Sequence, residues 1–260
     1  MRTARNLCAA IVLLSLAATG IAEKPCASPK AGPPLRLLIV SGGHDYEPVE
    51  FFHAFDVLPN IRYQHVYTRG EAKPEAFPLG GLAKYDVVLF YDMEPGAVTA
   101  AWRDLLDRGR GIVFLHHAIG SFPASTDLRS VAGGQANFAK EPPAGVTQST
   151  YRHEVLEHFT IADHAHAVTC GVNDFAMIDE GYDHIAIEPG AHVLMTSDFA
   201  TDGQRAVAWT WEYRGRRVFT LQPGHGSLGL PADHGPTSYQ NANFLRLLER
   251  GILWSAGRLP

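Results

Sequence analysis

Three short and nearly continuous apolar runs, each closing on small or polar residues, constrain this chain more than anything else in it. Leu35 to Val40 (LRLLIV) ends in Ser41-Gly42-Gly43, Tyr85 to Tyr91 (YDVVLFY) ends before Asp92, and Gly111 to Leu115 (GIVFL) ends in His116-His117. A strand that alternates has one wet face; a strand without alternation is buried on both, as in a parallel sheet. The intervening segments are helix-like: Val49 to Leu58, and Val98 to Arg108 with a stop at Gly109. Arg62 to Tyr67 fits a further strand. Strand and helix in turn make βαβ units, so the expected class is α/β with a mostly parallel sheet.

Further along, Val207 to Tyr213 and Arg217 to Leu221 flank Arg214-Gly215 and predict a hairpin near the sheet edge. The tail from Tyr239 to Trp254 carries Phe244, Leu247, Leu248 and Ile252 at helical spacing, interrupted by Gly251. The stretch from Gly133 to Asp183 is polar and irregular. No repeat marks a second unit, so residues 35–258 are expected to form one domain.

The first 22 residues read differently. Arg2 and Arg5 precede an apolar run from Leu7 to Ala18, and small residues follow up to Ala22. This is the pattern of a secretory signal; the run is short for a membrane span, and no later segment reaches about 18 apolar residues. Residues 23–34 are expected to be a flexible leader, and the mature protein secreted or periplasmic. Cys26 and Cys170 remain after cleavage. Neither lies in a CxxC pattern, which excludes a zinc knuckle; spacing leaves their pairing open, and Cys170 reads as a small core residue.

Charge removes one class of partner. With net charge −5 and no basic stretch, the chain has nothing to neutralise phosphates, so nucleic acid is excluded as a partner. Thirteen histidines then carry the functional question. In an open parallel sheet ligands bind beyond the carboxyl ends of the strands. His44 and Asp45 follow the first run, Asp92 and Glu94 the second, His116 and His117 the third, and His225 lies in Gly224-His225-Gly226 after the late strand. Four distant segments are thus expected to meet on one rim.

Other patterns are weaker. His153-Glu154-Val155-Leu156-Glu157-His158 spaces its histidines five apart, about 140° around a helix and on opposite faces of a strand, so at most one can face a site. Asp163 with His164 or His166 offers a more usable ligand spacing. Asp179-Glu180-Gly181-Tyr182 puts two carboxylates before an aromatic ring. GxSxG, P-loop and GxGxxG motifs are all missing.

Taken in order, LLIVSGGHDYE, YDVVLFYD, RGRGIVFLHHAIGSFP, VAGGQANF, DHAHAVTCGVNDF, MIDEGY, AVAWTWEYRGRRVFTLQPGHG and FLRLLERGILWSAG resemble the ThuA-like (trehalose utilisation) family across residues 35–257. The resemblance implies a flavodoxin-like three-layer domain of the class I glutamine amidotransferase type. It also implies a role in carbohydrate metabolism, through glycosides or 3-keto-sugars. The family's recurrent polar positions fall on His44, His117, His166, Asp179, Glu180, Tyr182 and His225. The amidotransferase cysteine is absent, which excludes glutamine hydrolysis by a thiolate. The expected catalytic groups are His117, His225 and Glu180, with His44, Asp45, His116, Asp179 and Tyr182 binding a small-molecule carbohydrate. Tyr46, Phe122, Tyr182 and Trp209 offer rings on which a sugar can stack. A divalent metal is a further option, with His44, His166 and Asp163 as candidate ligands. A non-catalytic sugar-binding protein on the same fold is the alternative, and homo-oligomerisation stays open.

Overall fold

Burial on both faces gives the first half of the chain its parallel sheet. The computed structural model describes residues 26–68, 84–100, 102–103, 106, 110–203, 205–226, 230, 235 and 237–260. Strand β1 (Leu35–Gly42) pairs in parallel with β2 (Ile61–Tyr67) and β3 (Val87–Asp92), and β3 with β4 (Gly111–Leu115). Leu37 and Ile39 of β1 enter one core layer while Leu38 and Val40 enter the other, so each apolar residue of the run finds an apolar home. Helix α1 (Pro48–Asp56) starts with proline in its first turn and buries Phe51, Ala54 and Phe55 on one stripe. Of the expected second helix, Val98 and Thr99 are not helical, residues 100, 102–103 and 106 are, and the others, with Gly109, lie outside the described residues. So does the expected signal segment.

The remaining strands are β5 (Gly134–Gln135), β6 (Thr150–Ile161), β7 (Phe175–Asp183), β8 (Ala186–Ile187), β9 (His192–Ser197), β10 (Ala206–Tyr213) and β11 (Arg216–Leu221). The large sheet runs β2-β1-β3-β4-β11-β10-β9-β6-β7, parallel as far as β11 and antiparallel beyond it. Two expectations are corrected here. The β10–β11 hairpin is central rather than at the edge, because β9, β6 and β7 extend the sheet past it. Within the stretch expected to be irregular lie two of the longest strands, β6 and β7, with helix α2 (Asp127–Ala132) ahead of them. Most of β6 is exposed, so it carries no apolar period to read. Helices flank both faces, completing a three-layer α/β domain. Among the described residues no helix is long and apolar enough to cross a membrane.

Cys170 is not a simple core residue: it is joined to Cys26 in a disulfide spanning 144 residues. The leader following Cys26 makes contacts with the chain's C-terminal end. Lys30 N–H donates to the Arg258 carbonyl at 2.9 Å, and the Arg258 guanidinium donates to the carbonyls of Lys30 and Pro33 at 3.1 and 3.0 Å.

The C-terminal helix α3 (Ala242–Ser255) is capped by Asn241, whose side chain accepts from the N–H groups of Asn243 and Phe244. It continues through Gly251 unbroken. A Cβ at Gly251 would sit 2.1 Å from two ring carbons of Phe219, which is wholly buried in β11. Gly251→Ala is therefore expected to destabilise by about 2–3 kcal/mol despite alanine's better helix propensity. Calorimetry should show a midpoint about 5–10 °C lower; an unchanged midpoint would mean that Phe219 has room to move.

Candidate functional site

The carboxyl ends of β1, β3, β4 and β11 share one rim, and the polar residues that follow them meet there. After β1, His44 stacks on His117 with ring centroids 4.5 Å apart, and its centroid lies 6.2 Å from that of His225. His116 and His117 begin the 3₁₀ turn His116–Gly120 after β4. His116 has φ +53°, a left-handed conformation costly for a residue with a Cβ, and it turns the imidazole into the rim. After β11, Gln222 and the glycine loop bring His225 to the same place, with ring centroids 5.3 Å from His116.

At the centre lies Glu180 of β7. Its Oε2 is 3.1 Å from His116 Nε2 and 3.6 Å from His225 Nδ1, while its Oε1 is 3.1 Å from His153 Nδ1. His116 Nε2 and His225 Nδ1 are 3.3 Å apart. His116 Nδ1 donates to the Gln222 carbonyl at 2.8 Å, which fixes the ring and aims Nε2 at the cluster. Burial alone would discharge His116, but the Glu180 carboxylate overcomes it and holds the imidazole's pKa above its ordinary value. Glu180, also opposed by burial, is brought down to about 2 by the hydrogen bond and charge of His116 and then by the other imidazoles. Burial and the charge of His116 depress His225 to about 4. The cluster is thus a buried carboxylate facing His116, with His117 and His225 held toward their neutral forms.

Asp179, expected to bind substrate, also clamps backbone. Its carboxylate accepts from the N–H groups of Glu180, Gly224 and His225 at 2.8 to 3.2 Å, so its oxygens are engaged in shaping the loop. Gly224 has φ +142° and its carbonyl accepts from the hydroxyls of Tyr91 and Tyr239, a placement that suits glycine. Asp45 is exposed, and its carbonyl accepts from His44 Nδ1 at 2.7 Å. That bond leaves His44 Nε2 with a lone pair and no hydrogen bond among the described residues.

His117 sits deeper. Only 1% of it is exposed, its Nε2 donates to the Tyr91 carbonyl at 3.1 Å, and its Nδ1 has no partner among the described residues. Burial first, and then the neighbouring imidazoles, push its pKa well below the ordinary value. Tyr182 is buried behind His116, its hydroxyl 3.5 Å from His116 Nε2. Of the other rings expected to stack on a sugar, Phe122 and Trp209 are buried and Tyr46 packs on Phe51 and Tyr91. The exposed ring beside the cluster is Tyr151, 54% exposed and 5.3 Å from His153.

Other expected residues are buried beneath the rim or lie at the opposite one. Asp92 and Glu94 are buried and tie the β3 and β4 loops together: Glu94 N–H donates to Ser121 Oγ, which donates to the Asp92 carbonyl. Burial and the adjacent Glu94 hold the Asp92 carboxyl far above its usual range. Asp163 accepts from His192 Nε2 at 2.9 Å, and His166 packs against His192 and Trp254. His192 starts β9, which runs antiparallel to β10 and so begins at the opposite rim. Of the candidate ligands, His166 and Asp163 therefore lie at the opposite rim from His44.

His153, in contrast, joins the site and His158 does not; His158 pairs with Asp198 on the surface. A β-bulge between Arg152 and Val155, with Glu154 at φ +58°, turns His153 inward. The odd spacing of HEVLEH limited the pair to one inward member, but no local residue announces the bulge.

Comparisons agree with this architecture. The family model ThuA, described as trehalose utilisation, matches residues 36–255. A ThuA-like protein from Parabacteroides merdae superposes with TM-score 0.67 at 15% identity, over 87% of this chain and 91% of that one. A cytoplasmic protein from Salmonella typhimurium gives TM-score 0.58 at 11% identity, over 85% and 99%. A β-galactosidase from Bacillus circulans sp. alkalophilus gives 0.52 at 13% identity, over 86% of this chain and 31% of that one. At these identities the structures show likeness of fold alone. No curated protein matches the chain.

Proposed function

This chain belongs to the ThuA family, a membership that implies a carbohydrate-related role, and from that premise we propose an exported enzyme acting on a glycoside or 3-keto-sugar by histidine and carboxylate chemistry. The observation that carries this reading is the placement of a histidine with an open lone pair, His44, beside a buried His116–Glu180–His225 cluster on one rim.

The chemistry needs two opposed groups. A proton next to a sugar ketone is removed by a base, and the electron pair moves onto the ketone oxygen, which must be stabilised as it charges. His44 Nε2 is the base in this reading, oriented by the Asp45 carbonyl. The His116 side of the cluster faces the ketone oxygen. His117, lying under His44, acts as a positioning residue; Glu180 acts through His116, whose proton it holds for the oxygen, and His225 lines the same side. The resulting enolate leads to elimination or epimerisation, and neither route requires the paired carboxylates of ordinary glycosidases. Tyr151 supplies the exposed ring on which a pyranose face packs.

Export is supported by two features of different kind. The N-terminal segment has the pattern of a secretory signal, and the Cys26–Cys170 disulfide suits an oxidising compartment.

Incubation of the mature protein with 3-keto-disaccharides in heavy water tests the reading. Mass spectrometry is expected to find deuterium at the carbon next to the ketone, or loss of the glycosidic partner. Stoichiometric binding without exchange or turnover would leave the sugar-binding alternative in its place.

A further inference from the structure

Three potential ligand atoms of the cluster converge on one point. His116 Nε2, His225 Nδ1 and Glu180 Oε2 form a triangle with edges of 3.1, 3.3 and 3.6 Å. A proton on His116 can bridge to one of these partners and leaves the third facing a lone pair. A divalent cation serves all three. Nitrogen and oxygen ligands about 2.0–2.1 Å from a tetrahedral zinc ion lie about 3.3 Å apart, the scale of this triangle.

The surroundings match a metal ligand set as well. His116 donates its other ring N–H to the Gln222 carbonyl, the outer bond that metal-bound imidazoles characteristically make. Glu180 keeps its second oxygen on His153 Nδ1, which orients the carboxylate. His225 is fixed from its backbone by Asp179. All three ligand residues are buried, and two imidazoles with one carboxylate exclude a magnesium or calcium preference.

We propose that His116, Glu180 and His225 bind one first-row divalent metal ion of the zinc type, with coordination left for a sugar oxygen. The ion would occupy the pole assigned above to the ketone oxygen; its part in the reaction rests on that reading, whereas binding itself does not.

The test uses the mature protein after chelation and dialysis, titrated with Zn²⁺ and separately with Co²⁺. One equivalent per chain is expected, with Co²⁺ giving visible d–d absorption. Glu180→Gln and His225→Ala are expected to weaken binding by about 100-fold or more. His184→Ala, in the partly exposed Asp183–His184–Asp202 group, is expected to leave binding unchanged. Absence of a stoichiometric site in the wild-type protein overturns the proposal, and so does undiminished binding in Glu180→Gln. Should His225→Ala fail to fold, the wild-type titration and Glu180→Gln decide alone. One bound equivalent without keto-sugar exchange would sink the enzymatic reading and keep the metal; exchange by a protein that binds no metal would do the reverse.

Discussion

His44→Ala is expected to lower turnover of a 3-keto-disaccharide by about 10²–10⁴-fold, the usual contribution of a positioned general base. The loss should fall mainly on kcat, because His44 is one of several groups around the substrate and Tyr151 remains. Deuterium exchange next to the ketone should fall in parallel, since both processes begin with the same proton transfer. The fold should survive: His44 is half-buried in a loop, its ring is bonded to the neighbouring Asp45 carbonyl, and its main packing is one stack on His117. His117→Ala makes a useful contrast. It removes the surface on which His44 rests and leaves the base in place, so a loss of about tenfold is expected. If His44→Ala kept half of the wild-type rate while His117→Ala lost nearly all of it, the two assignments would have to be exchanged.

How far the site was legible depends on what kind of information placed each residue. Residues following a strand in a parallel sheet inherit their position from the strand, and strands β1, β3 and β4 were readable because each is a nearly continuous apolar run. His44, His116, His117 and His225 therefore could be brought together from the sequence. Accessibility could not. Which of His44 and His117 faces outward depends on the left-handed turn at His116 and the bond from His44 to Asp45, and neither has a local signature. Strand β6 escaped for the opposite reason: it is exposed over most of its length, so no hydrophobic period marks it, and its bulge defeats parity counting at His153. His166 stands apart from the other positions the resemblance carried over because the end of β6 lies at the far rim. Cys170 paired with Cys26 through a contact that spans 144 residues, beyond the reach of any local pattern.

Glu157 gives a second large effect, away from the reacting groups. It sits in β6 opposite Met177, is 1% exposed, and accepts a hydrogen bond from Ser197 through Oε2; Oε1 has no hydrogen-bond partner among the described residues. Burial, together with the charges of Asp179 and Asp198, raises its pKa to about 8 against the help of Ser197. The unfolded chain releases this proton near 4.5. Between those values the native protein holds a proton that the unfolded chain has lost, so raising the pH favours unfolding. Below 4.5 both states are protonated and the group has no effect on stability; above about 8 both are ionised and the native state bears the whole cost of a buried charge. The wild-type protein should therefore lose about 3–5 kcal/mol between pH 5 and pH 9 from this residue. Glu157→Gln cannot ionise and should lose that share of the slope, even if its amide costs some stability at every pH. Urea unfolding of both proteins at pH 5, 7 and 9, with the disulfide intact, measures the difference directly. Parallel curves across that range would show that the folded structure opens water to Glu157, and that its carboxyl is not held protonated in the sheet.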